Sequence, residues 1–387
     1  MKVLYITTMY PIPKYPQQGI FCHEQVKALK ELEVDVDVVV PIPFYDREVD
    51  VKEWEYEGVK IKYVRFFKLP GARDFHKIGQ ALYRQLKRKL NLGSYDVYHA
   101  DAPLPAGYAV MKAAKKYNKP FVVHGHGLDV FLGESYENVN NCNKIVSTCE
   151  QVYREADAIV GVSKKVLEKI EKRVDVTGRG FVAYNGVDVN KFTPVERTTS
   201  DRNVKIISIG NLIPLKGHEY TLRAIRQLVH TGYDRIEFAL LGRGELEQEL
   251  KDLAKELDID THVTFMGYVP YEKVAEVLKK SDIFVLPSYY EALGCVYLEA
   301  MACGIPTIGC KGNGIDEVIE DGKNGYLVDS KNTEQIVERL KDLMSGEQRI
   351  EIGQQARMVI VENYKWSDSA KTVLGVYRHV QKARGKN

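Results

Sequence analysis

The chain has 387 residues, which is enough for two domains of ordinary size, each with its own hydrophobic core. Apolar residues make up 44% and charged residues 28%, a composition typical of soluble globular enzymes and not of disordered or fibrous chains. The net charge of +2 is too balanced to indicate a nucleic-acid partner, and no apolar run approaches the ~18 residues that a membrane-spanning helix needs.

The N-terminal segment MKVLYITTMYPIP is a short apolar run interrupted by prolines, which predicts a first strand and not a signal peptide. None of the six cysteines forms a CxxC pair, so buried reduced thiols are favoured over a disulfide framework or a zinc site. We therefore expect a cytoplasmic protein. The cysteines are Cys22, Cys142, Cys149, Cys295, Cys303 and Cys310.

Short β-branched apolar runs alternate with helical patterns along nearly the whole chain. In the first half the predicted strands are 3–7, 34–40, 59–66, 96–100, 120–126, 158–163 and 181–184. In the second half they are 205–210, 237–242, 263–267, 283–288, 306–310 and 326–329. Strands that are apolar on both faces and separated by helices predict parallel sheets covered on both sides. The expected fold class is α/β, with two Rossmann-like, doubly wound domains facing each other across a cleft.

A polar stretch at mid-chain, PVERTTSDRN (194–203), interrupts this alternation and has no apolar periodicity, which indicates a linker. The expected organisation is a first domain over 1–190, a linker over 191–203 and a second domain over 204–365. The remaining segment, 366–387, predicts one more amphipathic helix, which returns to the first domain.

Ligands of open parallel sheets bind at the carboxyl ends of the strands, so residues that directly follow a strand are the candidates for a site. The segment GNLIPLKGHEY (210–220) follows a predicted strand and leads into a helix. Lys216 at this helix mouth is well placed for a phosphate or diphosphate, although the segment matches neither GxxxxGK[ST] nor GxGxxG. A solvated lysine in a strand–helix turn is the alternative.

The segment SYYEALGCVYLEAMACGIPTIG (288–309) predicts a loop, a helix and a strand in that order. Glu291 falls in the loop, and Glu299 lies one turn or more inside the helix. A carboxylate accepts hydrogen bonds from two neighbouring hydroxyls, so each acid suits a sugar diol. The amides of Leu293, Gly294 and Cys295 suit a phosphate between the two sugars. Alternatively, Glu299 only pairs with a lysine.

In the first half, HGHGLDVF (124–131) places His126 and Asp129 at the end of a predicted strand. A histidine at such a position can orient a substrate or move a proton, although a lone histidine is more often structural. Gly19, between the first strand and the first helix, would let the backbone approach a ligand, but a tight turn explains a glycine there almost as well.

Together these segments resemble a family-4 retaining glycosyltransferase of the two-domain GT-B fold, and the resemblance covers the whole chain. Its most specific element is the Glu-x7-Glu segment, with Glu291, Gly294, the run from Glu299 and the stop at Gly304. Further matching segments are YNGVDVNKF (184–192), ADAIVGVS (156–163), GNLIPLKG (210–217) and ENYKW (362–366).

The resemblance implies a donor site for a nucleotide-diphosphate sugar, with a UDP-sugar favoured and a GDP-sugar as the other option. Glu299 would hold the ribose diol, Glu291 would lie against the donor sugar, and Lys216 would neutralise the diphosphate, assisted by the amides at 293–295. The backbone around Tyr268 and Val269 would border the base.

His126 would lie near the anomeric carbon, while Gly19 and Asp129 would be on the acceptor side. The family retains the anomeric configuration and needs no metal or other cofactor, since the lysine, the amides and the helix dipole replace a divalent ion. The expected acceptor is a hydroxyl of a sugar or lipid-linked sugar in cell-wall or exopolysaccharide assembly.

One residue departs from the family pattern. The family usually carries an arginine after the glycine of the phosphate loop, where this chain has Asn211, so a bidentate donor to the diphosphate is lost. Arg243, in the turn that follows the next strand, is a candidate to compensate.

The segment 73–92 predicts a basic amphipathic helix, with an apolar stripe formed by Phe75, Ile78, Leu82, Leu86 and Leu90. Such a helix can lie on anionic lipid, which would suit a lipid-linked acceptor. The favoured interpretation is a stripe that covers the sheet and a solvated basic face, with a peripheral membrane contact left open.

Three other functions share parts of this pattern. A nucleotide-sugar epimerase could use the same architecture but would not transfer the sugar to an acceptor. A Rossmann oxidoreductase is disfavoured because no GxGxxG is present. A catalytically silent nucleotide-sugar-binding protein remains open because of Asn211.

Overall fold

A computed structural model describes residues 1–71, 74–130, 142–196 and 203–385. The chain forms two compact units. Unit 1 comprises Met1–Asn185 together with the C-terminal segment that starts at Trp366, and unit 2 comprises Gly186–Lys365.

Unit 1 contains an eight-stranded sheet with the order β3-β4-β2-β1-β5-β6-β7-β8. The strands are β1 (Lys2–Ile6), β2 (Asp35–Pro43), β3 (Glu53–Tyr56), β4 (Val59–Phe66), β5 (Val97–Asp101), β6 (Phe121–Gly125), β7 (Ala158–Gly161) and β8 (Gly180–Val182). Its first helices are α1 (Ile20–Glu31), α2 (Phe75–Lys89), α3 (Tyr108–Tyr117), α4 (Cys142–Glu155) and α5 (Lys164–Glu171). All neighbouring strands are parallel except β3, which pairs antiparallel with β4.

The antiparallel edge strand β3 is the element that the sequence did not predict. Its residues, EWEY, alternate between exposed and half-buried, so no continuous apolar run marks it. It forms only as the partner of β4, with Tyr56 opposite Val59 across a turn at Glu57 and Gly58. The sheet is therefore mixed, and not purely parallel as expected.

The apolar stripe of α2 is packed inside unit 1. Ile78, Leu82 and Leu86 are buried, and the helix contacts α3 and β4. This packing supports a stripe that covers the sheet, while Lys87, Arg88 and Lys89 on the last turn are exposed. The helix begins at Phe75, and Arg73 of the predicted segment lies outside the described residues.

Unit 2 contains a six-stranded parallel sheet with the order β11-β10-β9-β12-β13-β14. The strands are β9 (Val204–Ile209), β10 (Ile236–Leu241), β11 (Val263–Gly267), β12 (Ile283–Val285), β13 (Thr307–Cys310) and β14 (Tyr326–Val328). The helices are α6 (His218–His230), α7 (Glu247–Glu256), α8 (Tyr271–Lys279), α9 (Cys295–Ala302), α10 (Thr333–Asp342) and α11 (Gly346–Asn363). Most strand positions agree with the sequence prediction to within one residue. The strand predicted at 283–288 is shorter, because Leu286 and Pro287 already lead into the following loop.

The last helix, α12 (Trp366–Arg384), belongs to unit 1, as the sequence predicted. It lies against α1, and its residues Trp366, Val373, Tyr377 and Val380 are part of the same buried cluster as the strands of the first sheet. The C-terminal helix therefore completes the core of unit 1.

The boundary between the units lies at Gly186. The backbone N–H of Val187 donates to the carbonyl of Tyr364, and Arg357 donates to the carbonyls of Val189 and Phe192, so this segment is held by α11. Residues 186–190, expected in the first domain, therefore belong to unit 2. Of the linker expected at 191–203, residues 197–202 lie outside the described residues. Among the helices that the structure describes, none combines the length and apolar character that crossing a membrane requires.

Candidate functional site

In unit 2 the candidate donor residues lie at the carboxyl ends of neighbouring strands. The order of the sheet reverses at β9, because β10 and β11 lie on one side of it and β12 to β14 on the other. In open α/β sheets the ligand site lies at such a switch point. Lys216 follows β9, Glu291 follows β12, Arg243 follows β10 and Tyr268 follows β11.

The loop after β9 packs against the loop after β12. A short helical turn, Pro214–Lys216, is followed by Gly217 with a φ of 65°, and α6 begins at the next residue. A Cβ atom on Gly217 would lie 2.4 Å from the carbonyl oxygen of Pro287, so only glycine fits. The backbone N–H of Tyr289 donates to the carbonyl of Leu215 at 3.1 Å. These contacts bring the two loops together.

As a result, Lys216 and Glu291 are in direct contact, although 75 positions separate them. The Lys216 ammonium donates a charge-assisted hydrogen bond to Oε2 of Glu291. Their side chains are only 18% and 17% exposed, which places both charges at a partly desolvated position where electrostatic interactions are stronger than in water. The sequence assigned these residues to adjacent parts of one ligand, and the structure places them next to each other.

Asn313, which the sequence analysis missed, holds the Glu291 loop. Its side-chain oxygen accepts the backbone N–H of Glu291 at 3.0 Å, and its amide nitrogen donates to the carbonyl of Ser288 at 2.9 Å. The adjacent Gly314 donates its N–H to the carbonyl of Glu291 at 3.1 Å, and a Cβ atom there would lie 1.8 Å from the carbonyl oxygen of Ala292. The buried Asn313 thus fixes the backbone from which Glu291 projects.

The second acid, Glu299, is the fifth residue of α9, and Glu291 lies in the preceding loop, as predicted. Glu299 is only 7% exposed, and burial raises the pKa of its carboxyl to about 7, against the lowering effects of a Tyr271 hydrogen bond and the charge of Lys191. The ammonium of Lys191 lies 3.5 Å from the centre of the Tyr271 ring. A lysine is therefore near Glu299, but with a pKa of about 7 the carboxyl is partly protonated at neutral pH.

The start of α9 is the expected phosphate-binding mouth. Gly294 precedes the helix with a φ of 80°, and a Cβ atom there would lie 2.6 Å from the ring of Tyr297 and 2.9 Å from Cγ of Glu291. Leu293 is buried, while Gly294 and Cys295 are half-buried. The helix mouth, with its partial positive charge, therefore lies directly beside Glu291.

Asn211 and Arg243 lie on two loops that pack tightly together. The N–H of Leu212 donates to the carbonyl of Arg243 at 2.9 Å, and Cβ atoms on Gly242 and Gly244 would lie 1.9 and 2.2 Å from carbonyl oxygens of the Asn211 loop. Both Asn211 and Arg243 are exposed.

The base-site candidates lie next to these loops. The guanidinium carbon of Arg243 is 5.7 Å from the ring centre of Tyr268, which is 43% exposed. Val269 is half-buried beside it. The side chain of Arg243 thus lies close to Tyr268, where the base is expected. Its loop is hydrogen-bonded to the loop that carries Asn211.

A buried histidine, His218, supports the same loop and was not singled out from the sequence. Its Nε2 contacts the carbonyl oxygen of Asn211 at 3.2 Å, and its Nδ1 contacts the hydroxyl of Ser208 at 3.2 Å. A carbonyl only accepts, so Nε2 carries the proton and Ser208 donates to Nδ1. Burial lowers the pKa of His218 to about 4, outweighing the raising effect of the Asn211 hydrogen bond, so the ring is neutral at physiological pH.

In unit 1 the order of the sheet reverses at β1, which lies between β2 and β5. His126 directly follows β6, and Asp101 is the last residue of β5. Nε2 of His126 lies 3.0 Å from Oδ1 of Asp101, and Nε2 of His99 lies 3.2 Å from the same oxygen. The hydroxyl of Tyr377, from α12, donates to Nδ1 of His99 at 2.8 Å.

This buried cluster around Asp101 carries strong pKa effects. Burial by itself would raise the pKa of Asp101, but the hydrogen bonds and charges of His126 and His99 hold it well below its ordinary value. Burial likewise lowers the pKa of His126, but Asp101 outweighs this effect and raises it above the ordinary value of histidine. Burial and the neighbouring imidazoles lower the pKa of His124. Asp101 is therefore anionic, and His124 is neutral.

The two acceptor-side candidates have contacts within unit 1. Both carboxylate oxygens of Asp129 accept the backbone N–H of His126, at 3.0 and 3.1 Å, so Asp129 fixes the turn that presents the histidine. Gly19 precedes α1 with a φ of 62°, and a Cβ atom there would lie 2.3 Å from the backbone of Met9. A tight turn against the protein's own chain is thus sufficient to explain this glycine.

Residue types that bind metals are close together at two places in the described part of unit 1, both involving Asp101. One group adds Cys22 and His126, and the other adds His99 and His124. In both, Oδ1 of Asp101 already accepts imidazole N–H groups, so the geometry is that of a hydrogen-bond network. Of the described cysteines, Cys22 and Cys310 are buried thiols that form no disulfide.

Within each unit, then, the structure joins two residues that the sequence singled out, in unit 2 from two separate segments and in unit 1 from a single segment. In unit 2 Lys216 contacts Glu291, and in unit 1 Asp129 contacts His126. Asn313, His218 and Asp101 were missed. Asp101 ends a strand and Asn313 lies just beyond one, which is the signal that could have indicated them, whereas His218 is the first residue of α6.

The chain is similar to known proteins in both sequence and structure. The family described as Glycosyl transferases group 1 matches residues 191–360, and Glycosyltransferase Family 4 matches residues 18–191. An uncharacterized glycosyltransferase of Methanocaldococcus jannaschii is 24% identical over 385 residues, which cover 98% of this chain and 99% of the relative. A Bacillus subtilis protein named for glycosyl transfer in teichuronic acid biosynthesis is 26% identical over 354 residues, 85% of each chain.

Among solved structures, sucrose-phosphate synthase from Thermosynechococcus elongatus has a TM-score of 0.81 at 17% identity, covering 99% of this chain and 100% of the other. The Anabaena protein HepE in complex with UDP-glucose has a TM-score of 0.73 at 17% identity, covering 100% of both chains. The fold is GT-B, with two α/β units that are each built on a largely parallel sheet. The chain belongs to glycosyltransferase family 4, and it is a transferase enzyme.

Proposed function

We propose that the protein is a retaining glycosyltransferase that moves a hexosyl residue from a nucleotide-diphosphate sugar to a hydroxyl of a sugar or lipid-linked sugar acceptor. A UDP-sugar is the favoured donor, and the reaction uses no metal ion. One observation carries the proposal: Lys216, Glu291 and the mouth of α9 meet at the switch point of the second sheet.

The chemistry of a nucleotide sugar fits these residues in order. The diphosphate is a polyanion, which the ammonium of Lys216 and the amides at 293–295 bind without help from a divalent cation. The hexose is one bond away from the β-phosphate, so a residue in contact with Lys216, namely Glu291, is at the right place for sugar hydroxyls. The ribose lies on the other side of the diphosphate, where the carboxylate of Glu299 accepts hydrogen bonds from its diol.

The preference for uridine and for glycan acceptors draws on similar proteins. The Anabaena neighbour, of like fold, is bound to UDP-glucose, and the Bacillus subtilis relative is named for teichuronic acid biosynthesis. The backbone around Tyr268 and Val269 would border the base, and the nearby Arg243 is the candidate to compensate for Asn211 at the diphosphate. His126 would lie near the anomeric carbon, and Asp129 and Gly19 would be on the acceptor side.

In the proposed reaction the bond between the anomeric carbon and the β-phosphate oxygen breaks. A new bond forms from that carbon to the acceptor oxygen on the same face of the sugar. The acceptor proton passes to the departing diphosphate oxygen, and Lys216 stabilises the charge that develops there. The products are the glycosylated acceptor and the nucleoside diphosphate.

A thermal-shift screen with uridine, guanosine and adenosine diphosphates and their sugars tests donor binding. Ligand at about 100 times its Kd stabilises the folded protein by ~2.7 kcal/mol, a shift of several degrees. Transfer is then followed as release of the nucleoside diphosphate in the presence of acceptor, with and without EDTA, and NMR of the product identifies the anomer. Interconversion of the donor sugar without release of the nucleoside diphosphate would indicate an epimerase.

The variant Lys216→Ala should lower kcat/KM for the donor by about 30- to 1000-fold, which corresponds to ~2–4 kcal/mol of lost stabilisation. Lys251→Ala is the matched control, because Lys251 also forms a lysine–glutamate pair, with Glu247 at 2.7 Å, but on the surface of α7. Equal donor affinity and turnover in Lys216→Ala and Lys251→Ala would refute the donor site.

A peripheral membrane contact of α2 stays a prediction. Because the apolar stripe of this helix is buried, only its basic side could meet an anionic lipid surface, and binding would have to be electrostatic and salt-sensitive.

A further inference from the structure

The cluster around Asp101 contains more than an isolated histidine. Asp101 is 1% exposed at the carboxyl end of β5, next to the switch strand β1. Its Oδ1 is shared by His126 at 3.0 Å and His99 at 3.2 Å, and Tyr377 contacts the far side of His99 at 2.8 Å. A buried chain of four polar side chains thus runs from the C-terminal helix to the turn after β6.

The chemistry of the groups fixes where the protons are. An ionised carboxylate only accepts hydrogen bonds, so the Nε2 atoms of His126 and His99 must both carry a proton. In a neutral ring the other nitrogen is then an acceptor. For His99 this nitrogen accepts the hydroxyl proton of Tyr377, and burial and the charge of Asp101 raise the pKa of Tyr377 so that it stays protonated.

For His126 the remaining nitrogen is different. Its Nδ1 has no hydrogen-bond partner among the residues that the structure describes, although the side chain is only 6% exposed. A buried nitrogen without a partner carries a desolvation cost, which a ligand hydroxyl could remove. Nδ1 is therefore the ring nitrogen of His126 whose hydrogen-bonding capacity the described residues leave unused.

The ring of His126 is also held in orientation by its neighbours. The His124 ring lies 4.5 Å away and the Phe21 ring 5.0 Å away, centre to centre, while Tyr5 stacks on His99 at 4.4 Å. The titratable groups that surround this network are Asp101, Asp129, His99, His124, Cys22, Tyr5 and Tyr377. Of the acids among them, Asp101 is the one whose side chain contacts the imidazole itself.

We propose that Asp101, supported by His99 and Tyr377, is a positioning residue that orients His126 and fixes its proton on Nε2, so that Nδ1 faces the reacting sugar hydroxyls. Its importance for turnover rests on the proposed function, since His126 acts on substrate only in that reaction. The tautomer and the pKa of the His126 ring in the free protein do not depend on the proposed function. The proposal also gives α12 a second role beside core packing, because it supplies Tyr377.

NMR of the protein labelled with 15N-histidine tests the proposal without any substrate. The chain has nine histidines, and the signals of His126 are identified by their loss in His126→Gln. We expect neutral wild-type His126 to carry its proton on Nε2 and to titrate above the ordinary range of histidine. In Asp101→Asn the amide can donate to Nε2, so the tautomer should change and the titration should move to lower pH.

Kinetics supply the second readout. Asp101→Asn should lower kcat about tenfold or more and shift the pH profile, while the donor KM changes less than about twofold. Asp96→Asn is the control, because Asp96 lies just before the same strand at its opposite end and accepts the N–H of Lys2 at 2.7 Å. Tyr377→Phe should also lower kcat, but by a smaller factor than Asp101→Asn.

Two results would overturn the proposal. One is a wild-type His126 with its neutral-state proton on Nδ1, which can be read even if Asp101→Asn does not fold. The other is an Asp101→Asn protein whose His126 tautomer and titration equal those of the wild type. If the NMR results hold but no sugar transfer or donor binding is found, the network stands and the proposed function fails.

Discussion

The carboxyl group of Glu299, a proposed donor-binding residue, has a burial cost that opposes folding. Burial raises its pKa from an ordinary 4.5 to about 7. Below pH 4.5 the group is protonated in the folded and unfolded states alike, and its burial costs little. Between pH 4.5 and 7 only the unfolded chain loses the proton, so stability falls as the pH rises and levels off above 7.

Glu299→Gln should therefore stabilise the free protein at pH 8 by ~1–3 kcal/mol, and by less than about 1 kcal/mol at pH 5. The same variant should bind the donor more weakly, because a neutral amide is a poorer acceptor for a ribose diol. Urea unfolding at both pH values measures the first effect, and calorimetric titration with the nucleoside diphosphate measures the second. A variant that is less stable than the wild type at pH 8 would contradict the burial cost.

At the scale of single residues, the sequence could predict which side chains follow strands but not which of them meet. Lys216 and Glu291 were each identified from a local motif, yet their contact depends on the adjacency of β9 and β12 in the sheet. Asp101 was missed because its importance comes from three partners, His99, His126 and Tyr377, and Tyr377 lies 276 positions away (377 minus 101). No local pattern encodes such contacts.

At the scale of elements, the loop 288–291 and the helix α9 depend on Asn313. Asn313→Ala removes two side-chain hydrogen bonds to this loop, one to the N–H of Glu291 and one to the carbonyl of Ser288. We expect donor affinity to fall about 5- to 100-fold, since each buried polar group left without a partner costs ~1–3 kcal/mol. Titration of the nucleotide sugar into the variant measures this loss.

The matched control for this loop is Asn324→Ala. Asn324 makes the same two kinds of bond, accepting the N–H of Glu320 at 2.8 Å and donating to the carbonyl of Val318 at 3.0 Å, in a turn outside the candidate site. Both variants should lose similar thermal stability, but only Asn313→Ala should lose donor affinity. Equal affinity in the two would show that the loop does not need Asn313 to present Glu291.

The elements themselves were largely predictable, because apolar runs of four to eight residues separated by helical periodicity are strong local signals. The predicted strands 59–66 and 263–267 and the helix 295–302 agree with β4, β11 and α9 at both ends. The strand β3 was not predictable, since it lacks an apolar run and is stabilised by its pairing with β4. The sequence predicted that the apolar stripe of α2 covers the sheet. It did not show which strand the stripe packs against, because that depends on the order of the strands in the sheet.

At the scale of the whole molecule, the sequence predicted two domains and a returning C-terminal helix, but not that the second unit begins at Gly186. That boundary is set by long-range contacts, such as the hydrogen bonds of Arg357 to Val189 and Phe192. The two units also have separate buried clusters. That of unit 1 includes residues of α12, whereas the cluster of unit 2 lies wholly within 204–352.

The segment 186–365 should therefore fold by itself and bind the donor nucleotide. It contains its own core together with Lys216, Glu291, Glu299 and the mouth of α9, so every proposed contact to the nucleoside diphosphate is present. We expect a cooperative unfolding transition and a Kd for the nucleoside diphosphate within about tenfold of the full chain, a difference of ~1.4 kcal/mol. Both tryptophans, Trp54 and Trp366, lie outside this segment, so absence of tryptophan fluorescence verifies the fragment. The same fragment with Lys216→Ala is the control, and a folded fragment that binds no nucleotide in either form would show that unit 2 alone does not make the donor site.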